Sequence, residues 1–171
     1  GELLLSLALI SREIGDDAAA KTYLRQLLAL EQHVDEAHYY LGGIAEDADD
    51  RSGALYEYRQ VEDGREMLVA ASRASVILID QGRIDEMSAW FGELRRQNPE
   101  RTEQLYGVEA DLLARSGELT SATKVLDEAL AQMPDSSSLR YARAMIAEQQ
   151  GDLALMEKEL RKIIASEPEN A

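Results

Sequence analysis

The chain has no cysteine, and only three prolines, two histidines, one phenylalanine and one tryptophan. Each scarcity removes a class of function. Without cysteine there is no disulfide framework, thiol nucleophile or cysteine-ligated metal, and the redox compartment stays open. The two histidines, His33 and His38, have no Glu or His at the fixed helical spacing of a zinc-binding motif, so no metal site and no cofactor is expected. Cations are also short: 18 Lys and Arg face 33 Asp and Glu, for a formal net charge of −15. That balance argues against nucleic acid, whose phosphates need clustered Lys and Arg, and predicts repulsion from anionic lipid. The longest apolar run, Leu3 to Ile10 with Ser6 inside it, is far shorter than the roughly 20 residues that span a bilayer. No basic residue precedes it as in a signal peptide.

What the chain does have is helix-forming residues. Ala, Leu, Glu and Arg dominate its 171 residues, with 45% apolar and 30% charged content, which reads as globular rather than disordered and favours helix. A repeat appears when its punctuation is aligned. Gly82, Gly117 and Gly151 lie 35 and 34 residues apart, and Pro99, Pro134 and Pro168 repeat those intervals. After each glycine the apolar residues fall at helical spacing: Met87, Phe91 and Leu94; Ala122, Leu126 and Ala129; Met156, Leu160 and Ile163. Gly15 leads into Ala20, Leu24 and Leu27 in the same frame, and Asp49 occupies the glycine slot before Ala54, Tyr58 and Val61. The residues before each slot are periodic too, for example Ala71, Ala74, Ser75 and Leu78. Each unit is therefore two helices, broken at a glycine suited to the left-handed conformation and stopped by a proline that cannot continue the hydrogen-bond ladder.

In these features the chain resembles the tetratricopeptide repeat (TPR) family, a 34-residue helix-turn-helix pattern with an early alanine in the second helix and a closing proline. The resemblance covers 1–171 as a single domain in units of about 1–34, 35–67, 68–102, 103–136 and 137–171. It implies an all-α, right-handed α-solenoid of about five units and ten antiparallel helices. Departures are the missing closing proline in the first two units, Asp49 at a turn, and Arg140 and Arg143 where apolar residues are usual. A helical pair cannot bury its apolar face alone, so the apolar opening helix and the linker-like Glu167-Pro168-Glu169-Asn170-Ala171 are expected to adjoin further repeats of a longer array. Exposed end helices also make self-association an expectation.

Candidate chemistry is sparse. His38 lies in HYYLGG (38–43) and shares its slot with Leu4, Ala71 and Tyr106, which favours a packed structural position over a general base. Ser136, Ser137 and Ser138 precede a helix, where a hydroxyl caps free backbone N–H groups. Glu46-Asp47-Ala48-Asp49-Asp50 lacks the glycine and third acid of an EF-hand calcium loop, and Leu41-Gly42-Gly43-Ile44 lacks the Lys-Ser or Lys-Thr of a phosphate loop. No catalytic residues are assigned and enzymatic activity is not expected.

The TPR resemblance implies a protein or peptide partner, bound in a concave groove lined by the first helices of successive units. Carried onto this sequence, it points to Tyr39, Gly43, Ser72, Val76, Asp111, Arg115, Tyr141 and Met145, beside Leu5, Leu9 and Gly107. The slots ten and six residues before each turn hold Leu, Tyr, Ser, Gly, Val, Asp and Met, not the Lys, Arg and Asn set of a carboxylate clamp. Gly42 should let the second helix of its unit approach, whereas Gly43 should leave a recess for a ligand or a neighbouring side chain. The second unit carries a net charge of −7 and the fourth −5, a distribution that steers a basic partner or simply keeps the array soluble. More narrowly, Ala37-His38-Tyr39-Tyr40-Leu41-Gly42, Tyr58-Arg59-Gln60-Val61 and Leu139-Arg140-Tyr141-Ala142-Arg143-Ala144 resemble TPR lipoproteins of gammaproteobacteria. That resemblance implies a lipid anchor outside 1–171, a place on the periplasmic side of the outer membrane, and an adaptor that presents substrates to a periplasmic C-terminal processing protease. Alternatives are a region that positions a catalytic domain elsewhere in the chain, and an array that assembles copies of itself.

Overall fold

The computed structural model describes residues 1–166; the linker-like stretch at 167–171 lies outside the described residues. The chain divides into two compact units, Gly1–Gly82 and Arg83–Ala171, parted at the turn glycine of the third repeat. Each is taken by itself below.

Unit 1 contains α1 (Glu2–Glu13), α2 (Asp17–Ala29), α3 (Val34–Asp47), α4 (Arg51–Tyr58) and α5 (Met67–Asp80). The periodic residues turn inward as expected. Ala8, Ala20, Leu24, Leu27, Ala37, Leu41 and Ile44 form one buried cluster across α1, α2 and α3, and fully burying a Leu or Ile contributes about 1.5–3 kcal/mol. Asp16 and Asp50 cap α2 and α4, each accepting a backbone N–H three residues on, from Ala19 and Gly53. The expected opening helix is only half covered: Ala8 is buried, while Leu3, Ile10 and Ile14 are exposed.

Two local features depart from the regular repeat. α4 stops after 8 residues, where the other helices of the unit run 12 to 14. Beyond it, the Asp35 carboxylate on α3 accepts the backbone N–H groups of Glu62 and Asp63 at 2.8 and 3.3 Å, so donors that a longer helix would have used are satisfied from the side. His33, past the end of α2, sits at the N-cap of α3 with φ +49°.

Asp49 takes the turn-glycine conformation at φ +57°. An L side chain pays for that geometry and glycine does not, so Asp49→Gly is expected to raise the melting temperature of unit 1 by roughly 1–2 °C. A lower melting temperature would show that the Asp49 side chain, 3.5 Å from Arg51, matters more than its backbone.

Unit 2 contains α6 (Ile84–Gln97), a short 3-10 turn η1 (Pro99–Arg101), α7 (Thr102–Arg115), α8 (Leu119–Gln132), α9 (Ser137–Gln150) and α10 (Leu153–Ser166). Pro99 and Pro134 fall just past α6 and α8, as the closing prolines should. Ser136 caps α9 by accepting the Leu139 N–H at 3.1 Å. Met87, Phe91, Leu105, Leu113, Ala122, Leu126 and Leu139 are buried.

Unit 2 also buries charge. Glu159 on α10 is completely inaccessible yet accepts from Arg140 at 2.9 Å, Arg143 at 3.2 Å and Lys162 at 3.2 Å. Arg143 reaches on to Asp127 of α8 at 2.6 Å. The two arginines that stood in apolar slots are thus the partners of one buried carboxylate. Glu109 on α7 is similarly buried and paired with Arg95 of α6, whose guanidinium also covers the Tyr106 ring at 3.9 Å.

Candidate partner-binding surface

In unit 1 the first helices of the repeats are α1, α3 and α5, and ion pairs link them. Arg12 on α1 binds Asp47 on α3 at 3.0 Å, and Arg73 on α5 approaches Glu46 on α3 at 3.5 Å. Glu46 also accepts the Tyr58 hydroxyl at 2.6 Å. Burial first, and then this hydrogen bond to a carboxylate, raises the Tyr58 pKa well above the ordinary phenol range.

HYYLGG separates within this setting. His38 is partly buried, its Nδ1 2.7 Å from Glu57 of α4, a structural tie between the two helices of its repeat. A Cβ at Gly42 would stand 2.6 Å from two Tyr58 ring carbons, so glycine there permits the α3–α4 approach. Gly43 is buried rather than open, because the Arg12 guanidinium lies over it: a Cβ would meet Arg12 Nη2 at 2.8 Å. The recess expected beside Tyr39 is filled by a neighbouring side chain. Arg12 also lies 5.9 Å from the Tyr40 ring centroid.

Tyr39 is half-buried, edge-on to Tyr40 at 5.2 Å and 6.2 Å from Tyr58. Ser72 turns its hydroxyl back to the Leu68 carbonyl at 2.8 Å. Val76 is the predicted residue most open to solvent in unit 1, at 50% exposure. Tyr39 and Gly43 therefore belong to an aromatic and arginine cluster, and Val76 is free surface.

In unit 2 the first helices α7 and α9 carry the predicted residues. Asp111 and Arg115 are exposed and pair with each other at 2.8 Å, one turn apart on α7. Tyr141 on α9 is 55% exposed and Met145 is half-buried. Asp111 also borders a hollow of about 550 Å³, whose other walls include Glu100, Glu103, Gly107, Val108, Ser138 and Leu139.

Glu100 and Glu103 were not singled out in the sequence. They stand at the start of α7 and just before it, outside the slots carried over from the family, and their acidity was visible only as part of the charge around the fourth repeat. Arg12 occupies a groove slot, three residues before the turn glycine Gly15. Its place over Gly43 depends on an α1–α3 approach that spacing does not specify. A pairing of Arg140 and Arg143 with Glu159 had a sequence signal, two cations and one acid on apolar faces of the same helical pair.

Among the described residues there is no group of three or more His, Cys, Asp or Glu side chains placed to hold a metal ion, and no helix long and apolar enough to cross a membrane.

The chain matches the family described as "Tetratricopeptide repeat" at residues 1–33 and 137–170, the first and last of the repeats read from the sequence. It is 41% identical over 138 residues to the TPR repeat-containing protein PA4667 of Pseudomonas aeruginosa, a match covering 81% of this chain and 23% of that protein. The chain thus spans under a quarter of this relative's length. Solved structures share its fold at low identity. A tetratricopeptide repeat protein from Parabacteroides merdae matches 98% of this chain and 66% of its own, at 18% identity and a TM-score of 0.56. MamA from Desulfovibrio magneticus matches 98% and 95%, at 14% and 0.54. Both resemblances concern the fold alone.

Proposed function

We propose that the chain, which matches the tetratricopeptide repeat family at its first and last repeats and is 41% identical to a TPR repeat-containing protein over 138 residues, is a non-catalytic scaffold that binds a segment of a partner protein through the faces of its first helices. One observation carries the reading: those faces leave Val76 and Tyr141 at least half exposed, on helices whose other faces are packed in the core. Tyr supplies large contact area at low entropic cost, and residues of this kind dominate protein interfaces. The mechanism is presentation, in which a bound segment is held at high effective concentration near a second partner bound elsewhere on the array.

Val76→Ser with Tyr141→Ala tests it. Both side chains are solvent-facing, so helicity and melting are expected to stay near wild type, while recovery of partner proteins from a bacterial envelope extract falls at least fivefold. Equal recovery by the double variant would remove these residues from the interface. Tyr39→Ala is a poorer probe, since its ring packs against Tyr40 and Tyr58 and its loss would loosen α3.

The narrower form of the proposal is an outer-membrane lipoprotein that presents substrates to a periplasmic C-terminal processing protease. It is motivated by the gammaproteobacterial resemblance and by the identity to a Pseudomonas protein. Fractionation of the full-length protein tests the compartment: recovery with the cytoplasm would sink it, whatever the partner.

A further inference from the structure

The hollow in unit 2 has features that the general reading does not require. Gly107 lies inside α7, where glycine weakens a helix relative to alanine. Gly42 and Gly43 have packing reasons for being glycine. At Gly107 no heavy atom outside the local backbone comes within 4 Å of where a Cβ would sit. Packing within the unit does not explain it, and the open space it leaves is part of a hollow of about 550 Å³, within the roughly 300–1,000 Å³ range of ligand pockets.

The walls are mainly apolar, with Val108 and Leu139 beside the glycine, and the charges on them are acidic: Glu100, Glu103 and Asp111. Glu103 is held in place without being neutralised. The hydroxyls of Ser136 and Ser138 both donate to its Oε1, at 2.9 and 2.7 Å, which fixes the carboxylate and leaves Oε2 to accept from a ligand. Asp111 pairs with Arg115, and Glu100 lies 3.6 Å from Arg101. These are pairs with a well-exposed acid, which a competing cation exchanges readily.

We infer that this hollow is a subsite for an arginine side chain in an extended segment of a partner protein. The aliphatic stem lies on the apolar wall left open by Gly107, and the guanidinium reaches Glu103 Oε2, with the Asp111 carboxylate adding negative charge at the rim. Charge complementarity selects this occupant, since a planar, multi-donor cation on an apolar stem matches an apolar floor with carboxylates at its rim. The inference rests on the reading of the chain as a binder of protein segments, and narrows the partner to one with an accessible arginine.

The test is an amide-resolved NMR titration of the chain. The probe is a blocked pentapeptide with one arginine flanked on each side by two alanines, compared with its citrulline counterpart, which keeps the shape and loses the charge. The arginine peptide is expected to move the amides of Gly107, Val108, Asp111 and Leu139. Citrulline should weaken the effect at least fivefold, as should the surface pair Glu103→Gln with Asp111→Asn. Gly107→Leu is expected to abolish it while melting roughly 2–4 °C above wild type, because the side chain enters open space and strengthens the helix.

Equal response to citrulline, changes mapping elsewhere, or binding that survives Gly107→Leu would each overturn the subsite. If the arginine peptide does not bind while the Val76 and Tyr141 variant still loses its partner, the subsite fails and the scaffold reading stands. Binding of the arginine peptide at these residues, with partner recovery indifferent to the Val76 and Tyr141 substitutions, upholds the subsite and removes that interface.

Discussion

Gly42→Ala is expected to destabilise unit 1 by about 1–2 kcal/mol, although alanine is the better helix former by roughly 1 kcal/mol. The added methyl would stand 2.6 Å from the Tyr58 ring, and that ring cannot step aside easily. It is fully buried, and its hydroxyl is tied to Glu46. Gly42→Leu should cost more, about 3 kcal/mol, by forcing α4 from α3. One residue on, the outcome differs. At Gly43 the obstacle is the end of the flexible Arg12 side chain, whose displacement loses a part-exposed pair with Asp47 worth about 0–1 kcal/mol. The propensity gain offsets that, so Gly43→Ala should lie within about 0.5 kcal/mol of wild type. Amide exchange across α3 measures both. Equal stability of the two alanine variants would mean that the Tyr58 ring yields as freely as the arginine.

Glu159→Ala should cost unit 2 about 3 kcal/mol, the magnitude for removing one partner from a buried ion pair. The variant leaves Arg140 and Arg143, each only about a fifth exposed, facing one another without their shared carboxylate. Replacing all three by apolar residues, Arg140→Met, Arg143→Met and Glu159→Leu, should recover most of the loss, because the cluster's net value is small once desolvation is counted. A single variant as stable as wild type would show that water reaches the cluster.

The same carboxylate sets an acid dependence. Burial opposes its charge, but hydrogen bonds from Lys162 and Arg140 and the field of Arg143 outweigh that and hold the Glu159 carboxyl below the usual glutamate range. Its stabilisation is therefore complete above the unfolded value and is lost as pH falls through the folded one. Glu109 has the opposite sign. Burial raises its carboxyl against the pull of Arg95, so ionising it opposes folding above its folded value, and the opposition is relieved as pH falls. Glu159→Gln should make unit 2 less sensitive to acid and Glu109→Gln more sensitive, measured as melting temperature against pH below neutrality. Parallel pH profiles for both variants and wild type would contradict the assignment.

The repeat was legible in the sequence because its signals are local. Ala20, Leu24 and Leu27 must share a helix face at that spacing, Gly82 and Gly117 take the positive φ their turns require, and Pro99 and Pro134 end helices wherever the chain goes. The surface was legible in part. Tyr141 and Val76 are exposed as the family pattern implies, while Gly43 lies beneath Arg12 and Tyr39 is held among tyrosines.

By itself, then, the sequence determined the helix-turn-helix repeat and the absence of cysteine chemistry, since backbone propensity and periodicity act over a few neighbouring residues. Tertiary structure alone decided which charges meet. Arg12 reaches Asp47 across 35 residues, and Arg140 reaches Glu159 across 19. Such pairings depend on how closely two helices approach and on the rotamers of long side chains, which no repeat period specifies. HYYLGG shows the division: its helix and the close packing at Gly42 follow from sequence, whereas what covers Gly43 is settled by a side chain from another helix.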